Sequence, residues 1–173
     1  MSTRKIVNIW TDGSCIRNPG PGGYAASLVY GDTHRELSGG YRLTTNNRME
    51  LMAAIAALQA LKQPCSVAIH SDATYLITGV MNGTMRRWRR AGWYRGDEVA
   101  APNADLWDQL LKLCDVHEGT FTWIKSHRGE PGNERCDQLA KRAASGPDLP
   151  PDAGYESPSF PPPRPTLFDA LPD

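Results

Sequence analysis

Hydrophobic and polar positions divide the first 146 residues into alternating and helical stretches, and the clearest of these runs from Thr44 to Leu61. Leu51, Met52, Ile55, Leu58 and Leu61 recur at helical spacing, alanine fills the gaps, and polar Thr and Asn residues stand in front as N-cap candidates. The pattern predicts a buried helix whose alanines let neighbouring elements approach closely, as packing on a sheet requires. Glu50 departs from it: a carboxylate where the helix enters the core needs either the positive field of the helix N-terminus or a cation.

Upstream, Ile6, Asn8 and Trp10 alternate with Val7 and Ile9, which predicts a strand stopping at Thr11-Asp12-Gly13-Ser14 and so places Asp12 at a strand end. Asn18-Pro19-Gly20-Pro21-Gly22-Gly23 reads as a turn with exposed backbone N–H groups. Strands at 24–30 and 35–43 then complete a three-stranded meander. Downstream, Ser66 to Ser71 forms a short strand ending at Asp72. A helix followed by a buried strand is the order of a parallel addition to a sheet. Sites collect at the carboxyl ends of such strands, so Asp12 and Asp72 are expected to share one edge. Residues 73–81 read as a helix that Asp72 can cap. Residues 103–116 read as an amphipathic helix with Leu106, Trp107, Leu110, Leu111 and Leu113 on its apolar side. A last strand over 119–126 delivers His127 on a loop, and Asn133 opens a final helix that carries Asp137.

Composition changes this picture at two places. Residues 84–95 hold five arginines and no acid, with Trp88, Trp93 and Tyr94 between them, the interleaving expected of a nucleic-acid contact; a solvated helix face is the alternative. Residues 147–173 hold nine of the 14 prolines and five acids against Arg164 alone. They are read as an acidic disordered tail on a basic body, with one domain over 1–146 that carries a basic stretch at about 84–102. At 173 residues and 40% hydrophobic content the chain suits one domain with a real core. It has no apolar run near the roughly 20 residues of a bilayer span and no signal-peptide core at its start, so a soluble cytoplasmic protein is expected. Cys15, Cys65, Cys114 and Cys136 lack metal-ligand spacing and read as free thiols.

Asp12, Glu50, Asp72 and Asp137 thus have comparable addresses. Singly, each has a structural explanation as turn residue, dipole partner, helix cap or solvated helix residue. Together at one sheet edge they would repel one another unless hard divalent cations held them, and an oxygen-only donor set points to Mg²⁺ or Mn²⁺. With a basic aromatic segment elsewhere in the chain, the natural substrate is a phosphodiester.

Thr11-Asp12-Gly13-Ser14-Cys15, Asn18 to Tyr24, Thr44 to Leu51, Ser71-Asp72, Ser126-His127 and Asn133-Glu134-Arg135-Cys136-Asp137 resemble, in order and spacing, the bacterial type 1 ribonuclease H (ribonuclease HI) pattern over roughly residues 5–145. The resemblance implies an α/β ribonuclease H-like fold, a five-stranded mixed sheet with helices on both faces, acting as a monomer in DNA replication. It implies endonucleolytic hydrolysis of the RNA strand of RNA–DNA hybrids with two Mg²⁺ ions, for which Mn²⁺ substitutes, leaving 5′-phosphate and 3′-hydroxyl ends. By position, Asp12, Glu50, Asp72 and Asp137 match the metal-binding carboxylates, and His127 matches a loop histidine assisting proton transfer or product release. Asn18, Thr45 and Asn46 match substrate contacts, with Thr45 in a DNA-phosphate pocket. Arg86, Arg87, Trp88, Arg89 and Arg90 match the protrusion that grips the hybrid. Thr74 is shorter than the glutamine common at its place, and Ser126 stands where the family commonly has glycine. Beyond the pattern, Leu167, Phe168 and Leu171 resemble a short partner-binding motif, faintly a sliding-clamp peptide, and so a contact for replication proteins; an unemployed solubilising tail is the alternative.

Overall fold

The computed structural model describes residues 6–96, 98–126 and 128–165. Strands β1 (Ile6–Cys15), β2 (Gly20–Tyr30) and β3 (Thr33–Thr44) form an antiparallel meander, followed by helix α1 (Asn46–Gln59). Strand β4 (Ser66–Ser71) adds parallel to β1. Helices α2 (Thr74–Met81) and α3 (Thr84–Arg90) lead to a short hairpin, β5 (Tyr94–Arg95) and β6 (Val99–Ala100), and then to α4 (Ala104–Val116). Strand β7 (Glu118–Trp123) adds parallel to β4, and helices α5 (Pro131–Ala144) and α6 (Ala153–Glu156) follow. The resulting mixed sheet has five strands in the order β3-β2-β1-β4-β7. Alternation along β1 explains why it is covered on both sides. Val7 and Ile9 enter a large core with α1, α2 and α4, while Trp10 packs with Ala25 and with Cys136 and Ala140 of α5 on the opposite face.

Four expectations change. Strand β1 does not stop at Asp12 but runs to Cys15, because Gly22 and Gly23, read from composition as turn, pair with Cys15 and Ser14. The shared edge survives the correction: the parallel β1–β4 ladder closes at Trp10 opposite His70, and Asp12 and Asp72 follow those residues at the same offset. Asp72 does not cap α2, whose cap position is Ala73; Ser71 Oγ accepts from the Ala73 N–H at 3.1 Å instead. The tryptophans of the arginine segment are not exposed. Trp93 is buried and donates from Nε1 to Asp108 at 3.0 Å, and Trp88 packs against the core, so both anchor the segment from inside.

The fourth change concerns the C-terminal segment. Residues 147–165 follow a defined course across β3 and on to the β5 hairpin. The Arg42 N–H donates to the Pro150 carbonyl, and Asp152 is buried against Thr44 and Arg48. Glu156 pairs with Arg42, the Tyr94 hydroxyl donates to the Pro162 carbonyl, and the Arg164 guanidinium lies 4.5 Å from the Tyr94 ring centroid. Proline-rich composition builds no core of its own, but a buried ion pair to a distant arginine orders it. Leu167, Phe168 and Leu171 lie outside the described residues, as does His127.

Candidate metal centre

Glycine brings the carboxylates together. A Cβ at Gly13 would collide with the backbone of Glu50 and Met49, so the absence of a side chain there lets the start of α1 lie directly on β1. Thr45 supplies the cap that starts α1, its side chain accepting from the Arg48 N–H at 3.3 Å. Glu50 follows in the second turn and faces Asp12.

Asp12, Glu50 and Asp72 each offer a carboxylate oxygen within 4.8 Å of the other two. Asp12 and Glu50 are buried and Asp72 is half-buried. Burial, with the neighbouring charges of Asp72 and Asp137 adding to it, pushes the Asp12 carboxyl up to about 7. Burial, and then the charges of Asp12 and Asp72, holds Glu50 well above the usual carboxylate range. Glu50 Oε2 is buried with no hydrogen-bond partner among the described residues. Three carboxylates in one pocket, none ion-paired to a cationic side chain among the described residues and one carrying an orphaned buried oxygen, form an all-oxygen donor set that fits a hard divalent cation.

Asp137 stands apart from this trio. It is half-buried on α5 and pairs with Lys141 at 2.8 Å, yet it lies close enough to raise Asp12. Asn18, Thr45 and Asn46 are brought together at the mouth of α1, where Asn18 Oδ1 accepts from the Asn46 N–H at 3.1 Å. The arginines of α3 divide into two pairs. Arg86 and Arg89 both turn to Asp115 of α4, at 3.2 and 2.8 Å, whereas Arg87 and Arg90 are exposed with no carboxylate partner among the described residues. Trp88 is half-buried, with Arg95 5.7 Å from its ring centroid.

Sequence reasoning missed three features. Arg48 is buried between Asp105 and Asp152, each bound through two hydrogen bonds of 2.7 to 2.9 Å. Ser126 Oγ donates to Asp72 Oδ2 at 2.7 Å, and Asn133 Nδ2 donates to the same oxygen at 3.4 Å. Trp123 Nε1 donates to the Asp72 carbonyl at 3.2 Å. Arg48 and Asn133 both lie inside recognisable motifs, but nothing in the linear pattern names their partners.

The RNase H family profile matches residues 4–145. Ribonuclease H of Syntrophus aciditrophicus (strain SB) is 53% identical over 152 residues, covering 88% of each chain. Among solved structures, LC9-RNase H1, described as a type 1 RNase H with the type 2 active-site motif, is similar at a TM-score of 0.74 and 26% identity, over 83% of this chain and 74% of that one. LC11-RNase H1, solved in complex with an RNA/DNA hybrid, shares the fold at a TM-score of 0.59 and 22% identity, over 80% of this chain and 96% of that one.

Proposed function

This chain belongs to the RNase H family, and from that premise we propose that it hydrolyses the RNA strand of RNA–DNA hybrids at a cation centre formed by Asp12, Glu50, Asp72 and Asp137. The observation that carries the reading is the trio of carboxylates within 4.8 Å, none of them ion-paired to a cationic side chain among the described residues. When bound, two Mg²⁺ ions, or Mn²⁺ in their place, supply activation of a water on one side of the scissile phosphate and charge neutralisation at the departing 3′ oxygen on the other. The products then carry 5′-phosphate and 3′-hydroxyl ends. Burial holds the oxygens of Asp12 and Glu50 in place before a cation arrives, because α1 is fixed on β1 across Gly13. Asp137 is the ligand whose charge Lys141 tempers.

Selectivity for a hybrid requires two readings at once. The 2′-hydroxyls report RNA in one strand, and a pocket shaped to deoxyribose backbone reports DNA in the other. Asn18, Thr45 and Asn46 are assigned to the backbone contacts, and Arg86, Arg87, Arg89 and Arg90 to the protrusion that grips the hybrid, which Trp88 anchors from inside. Sugar and phosphate contacts carry no direct sequence information, so base sequence should matter little. His127 is assigned to proton transfer or product release. No helix among the described residues is long and apolar enough to cross a membrane. Cytoplasmic location and a monomeric state are assigned from the family resemblance. The tail residues Leu167, Phe168 and Leu171 are assigned to a replication-protein contact.

The test uses end-labelled RNA–DNA hybrid, RNA duplex, DNA duplex and single-stranded RNA, each with Mg²⁺, Mn²⁺ or EDTA. Metal-dependent loss of the RNA strand from the hybrid alone is expected. Cleavage of the DNA duplex, or hybrid binding without cleavage in either metal, would refute the assignment.

A further inference from the structure

We propose that Ser126 is a positioning residue for the cation centre, its hydroxyl and the Asn133 amide holding one oxygen of Asp72 so that the other is presented to a cation. The proposal rests on the assignment of Asp72 as a cation ligand. Asp72 differs from the other members of the trio in how it is fixed. Asp12 and Glu50 are immobilised by burial, whereas Asp72 is half-buried, and packing alone does not select its rotamer. Hydrogen bonds do so instead. Ser126 Oγ at 2.7 Å and Asn133 Nδ2 at 3.4 Å converge on Oδ2, while Trp123 Nε1 holds the Asp72 carbonyl at 3.2 Å. Oδ1 receives no hydrogen bond among the described residues. Asn133 is itself buried, so one of the two donors comes from a fixed point on α5.

The chemistry of the donors matters. A hydroxyl and an amide orient a carboxylate without cancelling its charge, which leaves the full negative charge for a cation. An ammonium group, such as Lys141 at Asp137, competes with a cation for the same carboxylate. Outer donors of this kind orient metal-binding carboxylates, and their loss costs metal affinity even though they never touch the metal. Glycine, common at this place in the family pattern, has no donor to offer. This chain therefore carries a hydroxyl that preorganises one ligand and lowers the ordering entropy of cation binding.

The test is a Mg²⁺ titration of the full ¹⁵N-labelled chain without substrate, read from backbone amide shifts around Asp12, Glu50 and Asp72. Ser126→Ala, Ser126→Thr and Asp72→Asn are compared with wild type. Ser126→Ala should weaken Mg²⁺ about tenfold, the low end expected for an outer donor because the site is partly solvated. Ser126→Thr, which keeps the hydroxyl, should bind within about twofold of wild type. The Mg²⁺ midpoint of hybrid cleavage should move by the same factor as the titration. A dissociation constant for Ser126→Ala equal to that of wild type, with Asp72→Asn losing Mg²⁺, would overturn the role of Ser126 and leave the cation centre intact. Undiminished Mg²⁺ binding by Asp72→Asn would instead overturn the assignment of Asp72, and this proposal with it.

Discussion

Arg48 and Glu50 stand two positions apart on α1, both buried, with exposures of 2% and 6%, and the protein treats them in opposite ways. Arg48 meets two carboxylates in bidentate geometry, Asp105 from α4 and Asp152 from the C-terminal segment. Glu50 meets two further carboxylates and, among the described residues, no ion-pairing cation, and one of its oxygens has no partner there. Burying an ion costs several kcal/mol unless its charge and its hydrogen bonds are met. The first cluster meets that cost internally and belongs to the fold. The second leaves it unmet, and the missing charge has to come from outside. The arginines of α3 repeat the distinction at the surface, Arg86 and Arg89 being answered by Asp115 while Arg87 and Arg90 meet no carboxylate among the described residues.

The strongest way to break this comparison is to remove a charge from the uncompensated cluster. Asp12→Asn or Asp72→Asn should lower kcat on a hybrid by about a thousandfold or more, since a cation centre contributes several kcal/mol to such a reaction. Hybrid affinity, measured without turnover in EDTA, should stay near wild type. Turnover surviving in both variants would remove the catalytic half of the comparison.

The compensated cluster should respond in stability. Arg48→Ala leaves Asp105 and the buried Asp152 without their cation and should cost about 3–5 kcal/mol in chemical denaturation. Truncation after Gly146 removes Asp152 and should cost a comparable amount, while truncation after Ser157 keeps it and should cost far less. If both truncations were equally stable, the Arg48–Asp152 pair would not be what holds the segment.

A smaller effect separates the two arginine pairs. Replacing Arg87 and Arg90 with alanine should weaken hybrid binding about tenfold and reduce the slope of log affinity against log salt by about two, one for each phosphate that is no longer neutralised. Replacing Arg86 and Arg89 should change that slope less, because Asp115 already answers them. Equal slopes for the two double variants would erase the distinction.

Legibility in the sequence follows the range of the interactions. Helix α1 is readable because its apolar spacing and its polar start are local, and Glu50 stands out because an acid in an alanine-rich face has no local explanation. The parallel placement of β4, and hence the common edge of Asp12 and Asp72, follows from element order alone. Strand β1 reads short because Gly22 and Gly23 look like turn residues until pairing with Ser14 and Cys15 is seen. The C-terminal segment reads as disordered because what orders it, Asp152 on Arg48, spans 104 positions of sequence. Trp88 and Trp93 read as ligand-facing aromatics because sequence gives no side to a short irregular stretch, and their inward packing depends on α4. Ser126 is visible as a departure from the family pattern, but its partner Asp72 emerges only once β4 and β7 lie side by side.

The central claim is that the Asp12–Glu50–Asp72 cluster is left short of positive charge that divalent cations provide. Its most direct test is the stability of the metal-free protein against pH, with wild type and Asp12→Asn compared between pH 5 and pH 8. A carboxyl whose folded-state value is raised binds its proton more tightly folded than unfolded. The stability this contributes is present below the ordinary carboxylate range near 4 and is lost as pH rises through about 7. Metal-free wild type should therefore lose stability relative to Asp12→Asn as pH goes from 5 to 8. Millimolar Mg²⁺ should restore it at pH 8 by binding the folded state, in wild type but not in the variant. A pH profile identical in wild type and Asp12→Asn, unmoved by Mg²⁺, would contradict the claim.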